Sequence, residues 1–486
     1  MSQRARWSSL VAGVPGALLA LALTAWGLAR RPFWLDEAAS WTATRGLGQM
    51  LVHDVGDMPA YYVALTGWTS LGDSRAWIRA LSLLSLALAV WVLGLLVSRI
   101  DDSMTALVVC LVTSGSVLLV RYGQEARGYT LLVLLTTLSW LALVRLLEAP
   151  SARSRQLLYA IAGLLPLVHG LAMIVLVTQA ACLAVARVSA RVWRSAAVAF
   201  VLGAVLVTGA IALGADERGS SSPPLSPGVL KSVVAAQTSP YLVLSGMFAL
   251  AVAWGAWLSV CKLRRATSPT ERFGAAVPVV WALGYLLVLL LISVPRPTFS
   301  ARYSVPAAVP ISWLAGLALV DLVRRIRPWL RLTGALIAVG AVAIAVLLPG
   351  QVQVHRDRGY RWDLAAKEVA TDARKGDAIV VPAGELRLPF DYAWLSVSHS
   401  TQPPAAISPS QPLGTIRWLD VVPLAVDATV RRAQRYERLW VVHGAHSGVE
   451  RPTDEFLDHP VIHKQFVTAR SWTFDGGIEL LLLRRR

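Results

Sequence analysis

The chain is short of charge and of cysteine. Of its 486 residues, 15% are Asp, Glu, Lys or Arg, while 55% are hydrophobic and mean hydropathy is +0.56. Soluble domains carry roughly 25% charged residues, so a water-soluble globule is excluded. Several apolar runs reach the roughly 20 residues needed to cross a bilayer, and a polytopic membrane protein is expected. The three cysteines, Cys110, Cys182 and Cys261, all lie in apolar segments. They offer neither a disulfide framework nor a thiolate metal site and read as small buried hydrophobes. His443 and His446 follow a strand-like run with no third ligand nearby, which argues against a metal pair. Internal repeats are also absent. The net charge is +17, yet from Gln351 onward 18 Lys/Arg face 16 Asp/Glu. The excess therefore lies among the apolar segments, where membrane topology places it, and nucleic acid is not an expected partner.

The opening residues, with Arg4 and Arg6, precede an apolar run from about Leu10 to Leu28. Arg30-Arg31-Pro32 follows in place of a small-residue cleavage site, which predicts an uncleaved first span. Further spans are expected at 80–98, 104–120, 129–147, 157–168, 170–187, 196–214, 241–261, 275–294, 304–323 and 333–349, eleven in all. The segment 157–187 reads as two short spans split near Pro166 and His169, or as one long bent one. With a cytoplasmic N-terminus, alternate loops hold Arg99; Arg145, Arg153 and Arg155; Arg187, Arg191 and Arg194; Lys262, Arg264, Arg265 and Arg272; and Arg324, Arg325, Arg327 and Arg331. The opposite loops carry far fewer basic residues, a strong positive-inside bias, although Arg30 and Arg31 flank the first span on the outer side. A single span over 157–187 would invert every later loop, so two are favoured. The odd count then places everything after Gly350 outside the cytoplasm.

Two domains follow: a transmembrane module over 1–350 with an outer loop at 30–77, and an extracytoplasmic α/β domain over 351–486. In the second, Trp362 to Arg374 has helical spacing, and Lys375-Gly376-Asp377 turns into the apolar run 378–381. Later apolar runs lie at 420–424, 439–442, 461–467 and 478–483, and 400–412 reads as a loop. The expected fold is thus a polytopic α-helical membrane protein of about eleven transmembrane helices with a small C-terminal α/β domain.

The unusual polar groups gather on the outer side of this topology. They are Asp36-Glu37 after the first span, Asp54 and Asp57 before the second, the stretch Arg121 to Tyr129, His169, and Arg296 to Tyr303. Arginines neutralise a phosphate bidentately, and a carboxylate takes the proton of an incoming hydroxyl, so the set suits a lipid phosphate as leaving group. Plainer readings stand beside this one. Asp36 is then a helix N-cap, Glu125 and Arg127 pair with each other, Arg302 is an interfacial anchor, and His169 packs between spans. Trp34, Trp41 and Trp68 either join an interface belt or pack on a sugar or prenyl chain.

The pattern Trp34-Leu35-Asp36-Glu37, then Asp57-Met58-Pro59-Ala60-Tyr61-Tyr62 with Trp68, resembles the first outer loop of the GT-C glycosyltransferases. The branch is the protein-mannosyltransferase-like and aminoarabinose-transferase-like one. Gln124-Glu125-Ala126-Arg127-Gly128-Tyr129, Arg302-Tyr303 before the tenth span, and a tail opening with Trp362 and a Gly-Asp turn are similar to the same branch. The resemblance implies an inverting transfer of a sugar from a polyprenyl-phosphate donor to an extracytoplasmic glycan, lipid or protein, at the plasma membrane. No cofactor is expected beyond the donor, and no metal, because the DxD-type metal pair of oligosaccharyl transferases is absent and adjacent Asp36 and Glu37 point in opposite directions on a helix. Asp36 matches the catalytic aspartate and would be the general base, with Glu37 in support. Glu37 and Asp57 match positions that shape the acceptor and donor pocket. Arg127 and Arg302 are candidates for the phosphate, Tyr61 and Tyr303 for the sugar and lipid path, and Glu125 joins the substrate-binding set. Met58 and Ala60 depart from the pattern, which often has Lys or His and a second Pro there. Phosphate binding is thereby shifted onto Arg127, Arg302 or Arg30/Arg31. Mannose and arabinose both fit as the sugar. The competing class is a transporter or flippase for a lipid-linked precursor. It needs polar or broken-helix sites near the bilayer midplane, whereas the span interiors here hold few ionisable residues.

Overall fold

The computed structural model describes residues 10–53, 58–210, 223–238, 241–326, 332–397, 403–417, 421–444 and 451–486. The chain forms two compact units, each discontinuous in sequence. The first comprises 1–26, 54–61 and 79–356; the second comprises 27–53, 62–78 and 357–486. The loop segments around Asp36 therefore belong to the same unit as the C-terminal tail.

The first unit is helical. Arg75–Ile100, Tyr129–Glu148, Leu242–Arg265, Pro269–Ile292 and Arg302–Ile326 are each long and apolar enough to cross a bilayer. Ser103–Ser114 and Val117–Gly123 join as a sixth, bent by 64° at Gly115-Ser116. Leu10–Ala25 and Ala172–Ala186 are shorter apolar helices. Helices Ala152–Val168, Ala190–Ala210 and Leu332–Arg356 occupy the remaining expected positions. The segment 157–187 is two helices, broken at His169, whose backbone is extended.

Starts and breaks follow local chemistry. Asp102 and Ser116 cap their helices by accepting from Thr105 and Leu119 backbone N–H groups. Ser151 with Ser154, and Ser268 with Glu271, form reciprocal capping boxes. Pro278 removes one ladder donor, and the helix widens into a π-turn at Val280–Gly284 just beyond it. Packing between helices uses small residues, as expected where lipid tails are as apolar as leucine. A Cβ on Gly255 would lie 1.9 Å from the Leu314 carbonyl oxygen, so only glycine allows that crossing. Large apolar side chains such as Leu242, Val243 and Leu250 stay exposed on the unit's surface, where a bilayer would cover them. At one end of the bundle, Asp101 pairs with Lys262 at 2.5 Å, Asp102 with Arg324 at 2.6 Å, and Arg99 with Glu148 at 2.6 Å. The chain is a multi-pass membrane protein.

The second unit is built on a five-stranded sheet. Its strands are β1 Ala378–Val380, β2 Ala405–Ser408, β3 Arg438–Gly444, β4 Phe466–Phe474 and β5 Ile478–Arg485. The order is β2-β1-β3-β5-β4, with β1 parallel to β2 and β3, and β5 antiparallel to β3 and β4. Successive side chains alternate between faces. Ile379, Trp440 and Val442 join Trp362, Phe390 and Trp394 on one side; Val380, Leu439 and Val441 join Val430, Phe456 and Ile462 on the other. Both faces are covered, which is why β1 and β3 read as unbroken apolar runs.

The stretch 400–412, expected to be a loop, contains β2. Four residues between prolines carry no visible period, and it is the edge position beside β1 that makes them a strand. Conversely, residues 421–424 of the run 420–424 form no strand, and most of 461–467 is the short helix Pro460–Gln465. Arg387 and Asp391, both fully buried, are joined at 2.5 Å. Arg387 also donates to the Pro409 and Gln411 carbonyls at 3.0 and 2.7 Å, and Asp391 accepts from the Gly414 N–H at 2.8 Å. This pair ties the Arg387–Val397 helix to the chain that leaves β2. Removing one partner strands a buried charge, so Asp391→Ala should cost about 3–5 kcal/mol. Thermal unfolding of the full chain in detergent measures this. The double change Arg387→Met with Asp391→Leu should recover more than half of the loss.

Candidate functional site

In the second unit, the segment after the first apolar helix folds onto the α/β domain. Trp34 is the N-cap of the Leu35–Arg45 helix, with Asp36 and Glu37 in its first turn. Asp36 is thus not the N-cap. Both carboxylates stand at the positive end of the helix dipole. Asp36 is half-buried and Glu37 is 1% exposed. The helix packs on Arg387–Val397, with Phe33 stacked on Tyr392 at 4.3 Å and Trp41 edge-on to the same ring at 4.9 Å. Arg31 pairs with Asp357 at 3.5 Å. Trp68 and Trp77 stack at 4.5 Å, and each indole N–H donates to the other's carbonyl oxygen. The carboxylates therefore stand on a rigid, aromatic-clamped helix.

In the first unit, the bent pair 103–123 ends at Gln124. Its amide donates to the Thr24 and Trp26 carbonyls at 3.1 and 3.2 Å, which terminates the first apolar helix. Glu125 pairs with Arg121 at 3.5 Å. The Arg127 carbonyl accepts from Ser82 at 3.2 Å, and the Arg127 side chain is buried with its guanidinium 6.0 Å from the Tyr129 ring centre. Arg302 and Tyr303 lie in a 3-10 turn, with the Arg302 guanidinium 4.9 Å over the Tyr303 ring. Tyr285 donates to the Tyr303 carbonyl at 3.0 Å, and Gln237 donates to the Ser304 carbonyl at 3.1 Å. His169 lies between Tyr129 and Tyr303, at 5.6 and 5.9 Å. Two arginines from distant segments are thus brought to one end of the bundle, each backed by a tyrosine.

Met58 adds backbone strain. It is buried at φ +58°, a left-handed conformation that costs a non-glycine residue roughly 1–2 kcal/mol. Its sulfur and the Tyr61 ring close on Gly128, where a Cβ would meet them at 3.1 and 3.3 Å. Tyr61 is buried there, whereas Asp54 and Asp57 lie outside the described residues. Arg79 escaped the sequence reading. It stands at the head of an apolar run, where arginine normally reaches out to water, yet it is 1% exposed, one turn before Ser82. A buried guanidinium needs compensating groups, and the signal that could have found it is a lone arginine followed by an otherwise uncharged span. Among the described residues, no three His, Cys, Asp or Glu side chains gather as metal ligands.

The architecture matches solved structures along nearly its whole length. ArnT from Cupriavidus metallidurans, bound to undecaprenyl phosphate, aligns with a TM-score of 0.62 at 13% identity over 96% of this chain and 97% of that one. AglB, the oligosaccharyltransferase of Archaeoglobus fulgidus, in complex with an inhibitory peptide and a dolichol-phosphate, aligns with a TM-score of 0.56 at 10% identity, over 99% and 74%. Both are GT-C superfamily proteins, and the chain has the GT-C fold. No protein-family model and no curated protein matches by sequence.

The capping amide gives a direct test of this local architecture. Gln124→Ala leaves the carbonyls of Thr24 and Trp26 without this donor and should cost about 1–3 kcal/mol. Thermal unfolding in detergent reads the loss, and an unchanged midpoint would refute the capping role.

Proposed function

We propose that the protein is a glycosyltransferase that takes a sugar from a polyprenyl-phosphate donor. The observation that carries this reading is the pair of tyrosine-backed arginines, Arg127 and Arg302, at one end of a GT-C bundle. Cations held against aromatic rings in apolar surroundings suit a phosphate monoester or diester on a lipid. The fold neighbours are themselves described with undecaprenyl phosphate and dolichol-phosphate bound.

In the proposed reaction, an acceptor hydroxyl attacks the anomeric carbon as its bond to the phosphate oxygen breaks. The hydroxyl proton passes to Asp36, and polyprenyl phosphate leaves carrying the bond's electrons, with inversion at the anomeric carbon. Asp36 is suited to the role of base because a half-buried carboxylate in the first turn of a clamped helix is held in place yet reachable. Glu37 supports it from the same turn. Arg127 and Arg302 neutralise the departing phosphate; Tyr61, Tyr303, Glu125 and Asp57 complete the substrate-binding set. Mannose or arabinose is the proposed sugar, and an envelope glycan, lipid or protein the acceptor. The basic helix ends that carry Lys262 and Arg324 favour the cytoplasmic side, which gives the chemistry to the extracytoplasmic face of the plasma membrane.

Two substitutions test these roles in membranes supplied with radiolabelled polyprenyl-phosphate mannose or arabinose. General-base catalysis contributes roughly 10²–10⁴-fold, so Asp36→Asn should lose at least about a hundredfold in kcat with expression and unfolding midpoint unchanged. Full activity would remove Asp36 as the base. Arg302→Ala should raise the donor KM by about tenfold or more, one charge-assisted hydrogen bond's worth, and move the acceptor KM far less. The reverse pattern would remove its phosphate role.

A further inference from the structure

The two arginines are not independent. Arg127, Tyr129, His169, Tyr303 and Arg302 form one continuous row drawn from three separate segments of the first unit. Its contacts are 6.0 Å from Arg127 to Tyr129, 5.6 Å from Tyr129 to His169, 5.9 Å from His169 to Tyr303, and 4.9 Å from Arg302 to Tyr303. His169 is the middle member, and its orientation is fixed from several sides. It ends the Ala152–Val168 helix in an extended conformation, and its N–H donates to the Leu165 carbonyl at 3.2 Å. Its carbonyl accepts from the Ala172 N–H at 2.9 Å, so it also starts the next helix. Its Nδ1 accepts from the Leu171 N–H at 3.2 Å. That bond sets the neutral tautomer, with the ring proton on Nε2. Turning the ring breaks the Nδ1 bond to the Leu171 N–H at the start of the next helix.

Resting on the donor reading above, we propose that His169 is a positioning residue for the lipid phosphate: its ring holds the two arginine-bearing segments at the spacing that lets both guanidiniums engage one phosphate group. Tyr129 begins the helix that follows Arg127, and Tyr303 adjoins Arg302 in its turn. A flat ring edge-on to one tyrosine and tilted against the other is a low-energy aromatic arrangement. Its removal lets the two segments separate without deleting either charge. The effect belongs to donor binding, since the ring acts on the spacing of the two arginine-bearing segments and takes no part in the proton transfer to Asp36.

The test compares two lipids, undecaprenyl phosphate and uncharged undecaprenol, binding to the full chain in nanodiscs. The difference in affinity between them isolates the phosphate contribution. His169→Ala should reduce that difference by about tenfold, on the scale of two lost aromatic contacts, and leave undecaprenol affinity unchanged. His169→Phe keeps a flat ring between the tyrosines and should restore most of the loss. In the glycosyl-transfer assay the alanine variant should raise donor KM and keep kcat within about twofold, as expected for uniform donor binding. Wild-type phosphate discrimination in His169→Ala would overturn the proposal, as would His169→Phe behaving like His169→Ala. If Arg302→Ala loses discrimination while His169→Ala keeps it, the donor site stands and only the positioning role fails. If the wild-type chain binds both lipids equally, the donor reading itself fails and the positioning role with it.

Discussion

In hydrocarbon an unpartnered N–H or C=O costs several kcal/mol and a charge costs more, and the polar groups of this chain are placed accordingly. Its apolar residues form helices that satisfy their own backbone. The ion pairs of Asp101 with Lys262 and Asp102 with Arg324 lie together at one end of the bundle. At other breaks the same accounting is met by side chains: Gln124 takes the last carbonyls of the first apolar helix, and His169 bridges two helices with its own backbone and Nδ1. Both residues sit beside an arginine-bearing segment. The groups that make a helix break tolerable are thus the groups that place the candidate site.

Much of this architecture was legible in the residues. Long apolar runs give the helices directly, because length and hydropathy are local properties. The Pro166 and His169 break was readable from a proline followed by a polar residue inside an apolar run, and it is a true division into two helices. The central strands β1 and β3 were visible because a strand covered on both faces needs apolar residues throughout. Strand β2 was not, since its four residues owe their conformation to pairing with β1 and not to any period of their own.

The site was legible by residue type more than by neighbourhood. Arginines, tyrosines and carboxylates at span ends suggested phosphate chemistry, and in the structure Arg127 and Arg302 each lie against a tyrosine. Their linkage through His169 was invisible, because stacking of three side chains from three helix ends leaves no spacing in the sequence. Arg79 was invisible for the opposite reason: the same letter at the same span end describes a side chain that reaches water and one that is wholly buried. The grouping of residues 27–53 with 357–486 was equally hidden. It depends on contacts such as Phe33 on Tyr392 that close loops of more than three hundred residues.

That last grouping has a consequence for when the protein becomes complete during synthesis. The Leu35–Arg45 helix emerges from the ribosome early, but the surfaces that clamp it, Tyr392 and Asp357, are made some three hundred residues later. The sheet beneath them is not finished until β5, the penultimate strand in space and the last in sequence, slots between β3 and β4. Closure over such separations is slow and is reached only once the rest of the fold is present. The nascent chain therefore threads its membrane helices while its acidic helix is still unclamped. Assembly of that helix is timed by β5, so a chain cut short within that strand carries every candidate site residue and lacks the frame that holds two of them.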